Sequence, residues 1–497
     1  MGALSVWHWL IVFGIVGLVV AGRKPRHGDS YAAAGIHVHT ATQYICAALH
    51  TGHIDPQATI DRLQDRHKAK LPELGINTAR ILSEAKKARR RKAAFSIAAL
   101  FVLAWIASIG FDYFSALDGN ESNEVPWQQL LAYGNRLIKP LLLMTLIGFA
   151  EIIVINAYLK TRIIPLTDGP DHDTQQNVVI FGGFSPFAGY GGDLDNWSFT
   201  IDASKASDEH SGKPEAFEQV ELLDFISREL EANVVLGDSY DGLFVNGRRI
   251  RGKKLFLYDI KSMPNTAISP AIMKSKIGRP DQDGRHYRLF STSFANGHLF
   301  LTYFFRSTMV GDNLFIESRC FLLTPIKSEF TELNELPVKR GFVYYFEQLG
   351  RQLLIAPVTW VRGPIFLLER SARLGSKAVR AIFGDPEDKL KARQETYNYG
   401  QSNSLRESWA SNLYHTYFQM LDKDMISKTC QHIIINSIVE FLDGKGIATD
   451  DIKERRTQIF NSGVIVSGGV VNAQQLAVGK GATAKAKISN AFSSGRR

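Results

Sequence analysis

The chain has 497 residues, enough for about two to four domains, and its 45% hydrophobic and 22% charged content is close to that of an ordinary soluble protein. The formal net charge of +9 calls for a negatively charged partner surface. The apolar excess is gathered in a few runs in the first third, so anionic lipid accounts for the basic charge more simply than nucleic acid does. Three scattered cysteines, Cys46, Cys320 and Cys430, exclude a disulfide framework and fit a reducing compartment.

The first element is an apolar run from Leu4 to Val20, broken only by Ser5 and His8. A secretory signal carries its basic residues before such a run. Here the start is uncharged, and Arg23, Lys24 and Arg26 follow. That reversed polarity predicts a retained anchor over 1–22 with its N-terminus outside, Trp7 and Trp9 lying at the outer headgroups. The alternative is cleavage after Ala21. The stretch "LSVWHWLIVFGIVGLVVAGRK" resembles the N-terminal anchor of the small pore-forming subunit of the twin-arginine translocase. Trp-His-Trp, apolar run and basic exit come in the same order, within about the first 24 residues. The resemblance implies a short N-out anchor.

Residues 23–92 form a cytoplasmic helical segment. His37, His39, Cys46, His50 and His53 are weak metal candidates; Cys46 and His50 share a helix face, but no standard zinc spacing is matched, so no metal or other cofactor is expected. Asp55-Pro56 opens a helix with an N-cap and a first-position proline, and a further helix from Leu74 to Ala85 leads to "KKARRRK" (86–92). Apolar spans follow at 93–112 and 139–159, separated by an external loop, 113–138, that holds Asp118, Glu121 and Glu124. The basic residues at 86–92, and Lys160 and Arg162, place those sides inside. The topology is therefore N-out with three transmembrane helices and a cytoplasmic C-terminal part. Glu151, an intramembrane carboxylate, is a functional candidate with no deep Lys or Arg to pair with.

From about 170 to 335 the pattern changes to β. Runs at 177–183, 197–202, 254–260, 287–294, 297–307 and 314–325 are rich in β-branched and aromatic residues, and Asn296-Gly297 signals a hairpin. Helical spacing over 214–233 completes an α+β domain with an antiparallel sheet. The loop "GGFSPFAGYGGDLDNW" (182–197) is the candidate ligand loop: Gly182, Gly183, Tyr190, Gly191 and Gly192 to wrap a phosphate, Asp193 and Asp195 to hold a metal, Trp197 at its end. It is neither a P-loop nor a dinucleotide fingerprint, and aromatic packing explains it as well. Arg285 and His286 form a candidate polar turn where a general base could sit. No nucleophile elbow, HExxH or paired CxxC is present, so no reaction can be named.

Residues 340–385 are apolar but studded with arginine; Arg362 and Gly363-Pro364 interrupt the run, which suits a basic amphipathic segment on the membrane surface. Ser404 and Glu407 make a capping box ahead of a helical region, 400–461. A Val/Gly-rich tail, 462–497, could add strands to a partner or to a second copy of the chain. The segments "TQYICAALH", "SPFAGYGGDLDNWSF", "LFVNGRRIR" and "NSGVIVSGGVVN" resemble an uncharacterised group of actinobacterial multi-pass membrane proteins. That resemblance implies a three-span bacterial protein of the inner membrane with a cytoplasmic domain. The expected role is a membrane-tethered sensory or interaction protein that recruits a protein partner through its tail. The alternatives are a hydrolase-like membrane enzyme using loop 182–197, and a translocation or membrane-perturbing component.

Overall fold

The computed structural model describes residues 39–118, 127–166, 176–208, 212–234, 237–279, 284–335 and 342–454. The first predicted span, His37, Glu121, Glu124 and the Val/Gly tail lie outside them.

Helix α1 (Ala41–Thr51) begins at a capping box in which Thr40 and Gln43 exchange hydrogen bonds, and it ends at Gly52 in the left-handed conformation. Helix α2 (Pro56–Leu63) starts as the sequence indicates, with the Asp55 carboxylate accepting from the Gln57 and Ala58 amides. Helix α3 (Thr78–Asp118) differs from expectation. The helix expected at 74–85, the basic cluster and the span form one continuous 41-residue rod. Lysine, arginine and alanine are good helix formers, so nothing in the basic cluster ends it. Helix α4 (Trp127–Tyr158) runs through Pro140 and closes in a π-turn, Leu159–Ile163. Because α3 extends to 118 and α4 starts at 127, the connection between them is shorter than the expected loop 113–138.

Among the described residues two helices are long and apolar enough to cross a membrane, Thr78–Ser115 and Leu131–Ile163. Only 17% of each one's most apolar window is buried, and Phe101 and Phe111 are each 73% exposed. A core helix of a soluble domain would have covered them. Ala99, Val102 and Met144 form a small buried cluster between the two.

The sheet is built from β1 (Val178–Phe181), β2 (Gly192–Asp202), β3 (Gly237–Asn246), β4 (Gly284–Phe294), β5 (Leu299–Val310) and β6 (Asn313–Leu323), in the order β1-β3-β4-β5-β6-β2. It is mixed rather than wholly antiparallel, because β1 runs parallel to β3. Ala295, Asn296 and Gly297 all adopt positive φ at the β4–β5 turn, as the Asn-Gly signal implies. Strand β3 was not marked by the sequence; its Gly-Asp-Ser-Tyr-Asp-Gly start hides a strand whose apolar part is only Leu243–Val245. Conversely, 254–260 is a chain of turns, with Phe256 and Leu257 buried beside Tyr397 and Tyr399.

Helix α5 (Gln219–Asn233) covers one sheet face, and α6 (Pro270–Lys274) is a short turn near β3. Helix α7 (Phe342–Phe383) passes through Gly363-Pro364 without a break and packs against α3 and α4. Lys92 stands over the Phe366 ring, and Arg373 pairs with Asp61 at 3.2 Å. Helices α8 (Pro386–Arg393) and α9 (Leu405–Ser408) precede α10 (Tyr417–Gly444). Trp409 and Leu413 therefore stand ahead of the long C-terminal helix rather than on it. The Ser404–Glu407 capping box forms as expected.

Two cores flank the sheet. On one face Leu222, Leu223, Ile226 and Leu230 of α5 and Ile434, Ile435 and Ile438 of α10 pack on Leu301, Tyr303, Phe305, Leu314 and Ile316. On the other, Phe187, Tyr190, Phe244, Tyr287, Phe304 and Phe321 form an aromatic cluster. A separate cap joins α1, α2, α3, the π-turn and Trp409 around Tyr44, Ile45 and Leu49.

Candidate functional site

The loop 182–197 is held by packing at both ends. A Cβ on Gly182 would lie 2.6 Å from the Gly400 carbonyl oxygen, so the glycine is required by a close approach of two backbones. The Gly182 amide donates to Gln401 O at 2.7 Å, and Asn398 donates to Gly182 O at 2.9 Å. Gly183 lies against Ser402. Phe187 inserts among Phe244, Tyr287, Phe304 and Phe321, with ring centroids 4.7–5.6 Å apart. Tyr190 is buried against Phe304. Gly191 has φ +92°, and its amide donates to Glu407 at 2.8 Å. Gly192, Asp193, Asp195 and Trp197 then belong to edge strand β2. Asp193 is 3.9 Å from Arg319, Asp195 accepts from Gln431 at 2.7 Å, and Trp197 stacks on Phe199. The glycines and the two aspartates thus serve different contacts and do not surround one space.

The Arg285–His286 pair is divided by the pleat. Neighbours on a strand face opposite sides, so Arg285 is exposed while His286 is buried with Nε2 2.8 Å from Asp241 Oδ1. Arg288 Nε donates to the same oxygen at 2.7 Å and reaches Asp224 at 2.8 Å. Burial alone would raise the Asp241 carboxyl, but the His286 hydrogen bond and the Arg288 charge hold it below the ordinary aspartate value. This is a satisfied structural triad, not a base open to substrate.

The histidine-rich segment also resolves into packing. Cys46 is buried in the cap core, His39 lies edge-on to Tyr44, and His53 follows α1. His50 is 3.0 Å from Glu84, which also accepts from Lys87 at 2.9 Å and Tyr158 at 2.8 Å. Arg91 Nη1 donates to His50 Nδ1 at 2.7 Å, which leaves Nε2–H to donate to Glu84. Burial pushes the imidazole below its ordinary value, consistent with that neutral tautomer. Among the described residues no three metal-capable side chains gather. Glu151 lies half-buried on α4.

The structure does bring charged groups together elsewhere. On the face that carries the aromatic cluster, towards the β2 edge, a cleft of about 380 Å³ is lined by Arg285, Arg306, Arg319, Glu317, Phe315 and residues 196–198. Arg306 and Glu317 are register partners on β5 and β6, and Arg319 lies two residues along β6. Arg319 Nε donates to Glu317 at 2.9 Å, Arg306 is 3.9 Å from it, and the Tyr287 hydroxyl is 3.5 Å away. The Glu317 hydrogen bond raises the Arg319 guanidinium above its ordinary value. Arg285 was named from sequence; Arg306, Glu317 and Arg319 were not. The available signal was a period-two appearance of charge inside apolar strands, "FFRSTM" and "FIESRCF". Only the β5–β6 register shows that these charges meet.

Together the sheet, the helical cap and the two long apolar helices define a mixed α+β protein with features of membrane association. Residues 196–472, more than half of the chain, match the family model described as AbeC-like domain, and the chain belongs to that family. Every residue that lines the cleft lies within the match, whereas 182–195 precede it. No curated protein and no solved structure gives a match. The likeness of residues 1–24 to a translocase anchor gains no support from these comparisons.

Proposed function

We propose that the chain is a membrane-tethered sensory or interaction protein. In this reading it lies N-out with three spans at a bacterial inner membrane, and its α+β domain and Val/Gly tail recruit a protein partner at the cytoplasmic face. The observation that carries the reading is the continuity of α3. One rigid helix belongs at its start to the cap, through His50–Glu84 and Tyr158–Glu84, and at its end to the apolar layer. Such a helix fixes the sheet domain at a set height and orientation, which suits a docking platform. The exposed basic residues that follow the apolar part of α7, Arg370, Lys377 and Arg380, would meet anionic headgroups in this reading. An enzyme built on loop 182–197 and the Arg285–His286 turn would need those groups to converge; Arg285 shares a cleft with Asn196 and Trp197, but His286 is turned away from it, towards Asp241.

The test is a mild cross-link in native cells, followed by tagged purification from membranes and mass spectrometry. A stoichiometric protein partner, lost when residues 462–497 are removed, is the expected result. Recovery of the chain alone, or only with further copies of itself, would sink the partner-recruiting reading.

A further inference from the structure

The geometry points to the cleft of Arg285, Arg306, Arg319 and Phe315 as a binding site for an organic phosphate of mononucleotide size. It stands independently of what the tail recruits.

Three guanidinium groups from three neighbouring strands line one cleft; among the described residues Glu317 is the carboxylate in its lining, and Asp193 lies 3.9 Å from Arg319. Each guanidinium carries five N–H donors in a planar fork. Glu317 engages Arg319 at 2.9 Å and Arg306 at 3.9 Å, which occupies a minority of those donors and orients the remainder. The Arg306 side chain is 11% exposed and lies 3.9 Å from Glu317. A phosphoryl group, with several oxygens and a charge near −2, matches paired forks better than a carboxylate does. The cleft, at about 380 Å³, exceeds what a bare phosphate fills and falls in the range of small-ligand sites. Phe315 supplies an aromatic wall, and Ser198, in register with Glu317, adds a hydroxyl on the same row. Phosphate on the arginines and an aromatic moiety near Phe315 is the arrangement these residues favour.

A free nucleotide and a phospholipid headgroup both present this phosphate chemistry, and the measurement separates them. Full-length protein in phosphatidylcholine nanodiscs is titrated calorimetrically with adenosine monophosphate, adenosine and glycerol 3-phosphate. Adenosine monophosphate is expected to bind and adenosine not to bind. Arg285→Gln, at an exposed position, should weaken binding at least tenfold with its thermal transition unchanged, and raising salt should weaken it further. Glu317→Gln, provided that its thermal transition is unchanged, should tighten binding by removing the competing carboxylate. Affinity at least tenfold higher for adenosine monophosphate than for glycerol 3-phosphate assigns the site to a soluble nucleotide. Equal affinities support the phosphate site and assign it to a headgroup. Binding of adenosine as tight as its phosphate, no binding of any of the three, or binding indifferent to Arg285→Gln would overturn the proposal.

Discussion

Glu73 shows how one half-buried carboxylate ties the segment before α3 to the start of α9. Its oxygens accept from the Leu405 and Arg406 amides, each at 2.8 Å, so the N-terminal segment caps the start of α9. Burial raises the carboxyl to about 7, although the two amide hydrogen bonds oppose the change. A folded-state value above the ordinary 4.5 means that folding favours the protonated form. That contribution is fully present below pH 4.5 and is lost as the pH rises through about 7. Glu73→Gln should therefore flatten the decline in thermal stability across this window in the detergent-solubilised chain; an unchanged slope would show that Glu73 does not titrate there. Phe187 is the second residue to test. Truncating an aromatic side chain enclosed by four others costs about 3–5 kcal/mol, so Phe187→Ala should lower the unfolding midpoint strongly. Gly191→Ala should also destabilise, since the position has φ +92° and an added Cβ would meet the Leu322 carbonyl. A loop kept for ligand contact alone would tolerate both changes. The sequence displays the glycines and aromatics of this loop openly, but a glycine needed for a backbone crossing and one needed for a phosphate look alike in a string of letters.

At the scale of elements, the join of α1, α3 and α4 depends on Glu84. It is almost fully buried and receives His50, Lys87 and Tyr158. Removing Glu84 leaves the buried His50 N–H and the Tyr158 hydroxyl without their acceptor, while Lys87 is half-exposed. Glu84→Ala is expected to cost roughly 1–3 kcal/mol, measured as the shift of the denaturant midpoint. A change within about 0.5 kcal/mol would mean that the cap does not rely on this contact. Local signals served well here: the Asp55-Pro56 start, the Ser404 capping box and the Asn296-Gly297 turn each depend on residues within a few positions of one another. What escaped was set at long range. Strand β3 has a polar first half and is recruited by its neighbours β1 and β4. The 254–260 run has strand-like composition, yet its apolar residues are drawn beneath Tyr397 and Tyr399 instead. Gly363-Pro364 reads as a break but sits inside a helix that packs on two others.

For the molecule as a whole, the exposed phenylalanines of α3 and the exposed leucines of α4 suit membrane association. The full chain should stay in the membrane pellet after a high-salt wash and after an alkaline carbonate wash. Release by salt alone would mean that only the basic surface holds it. The architecture has a further consequence, for the ribosome. The outer edge of β1 is not left open: Phe181 is bridged to Gln401, at the point where Gly182 and Gly400 allow two backbones to touch. The sheet strands up to Leu323 are made well before that partner, and α7 is made in between. Translation from Asn246 to Gln401 takes about ten to thirty seconds at typical rates of synthesis. For that interval the Phe181 end of the rim lacks its partner, the kind of edge on which strands from neighbouring chains assemble. Early delivery of α3 and α4 to a membrane would keep nascent copies apart until the rim is closed.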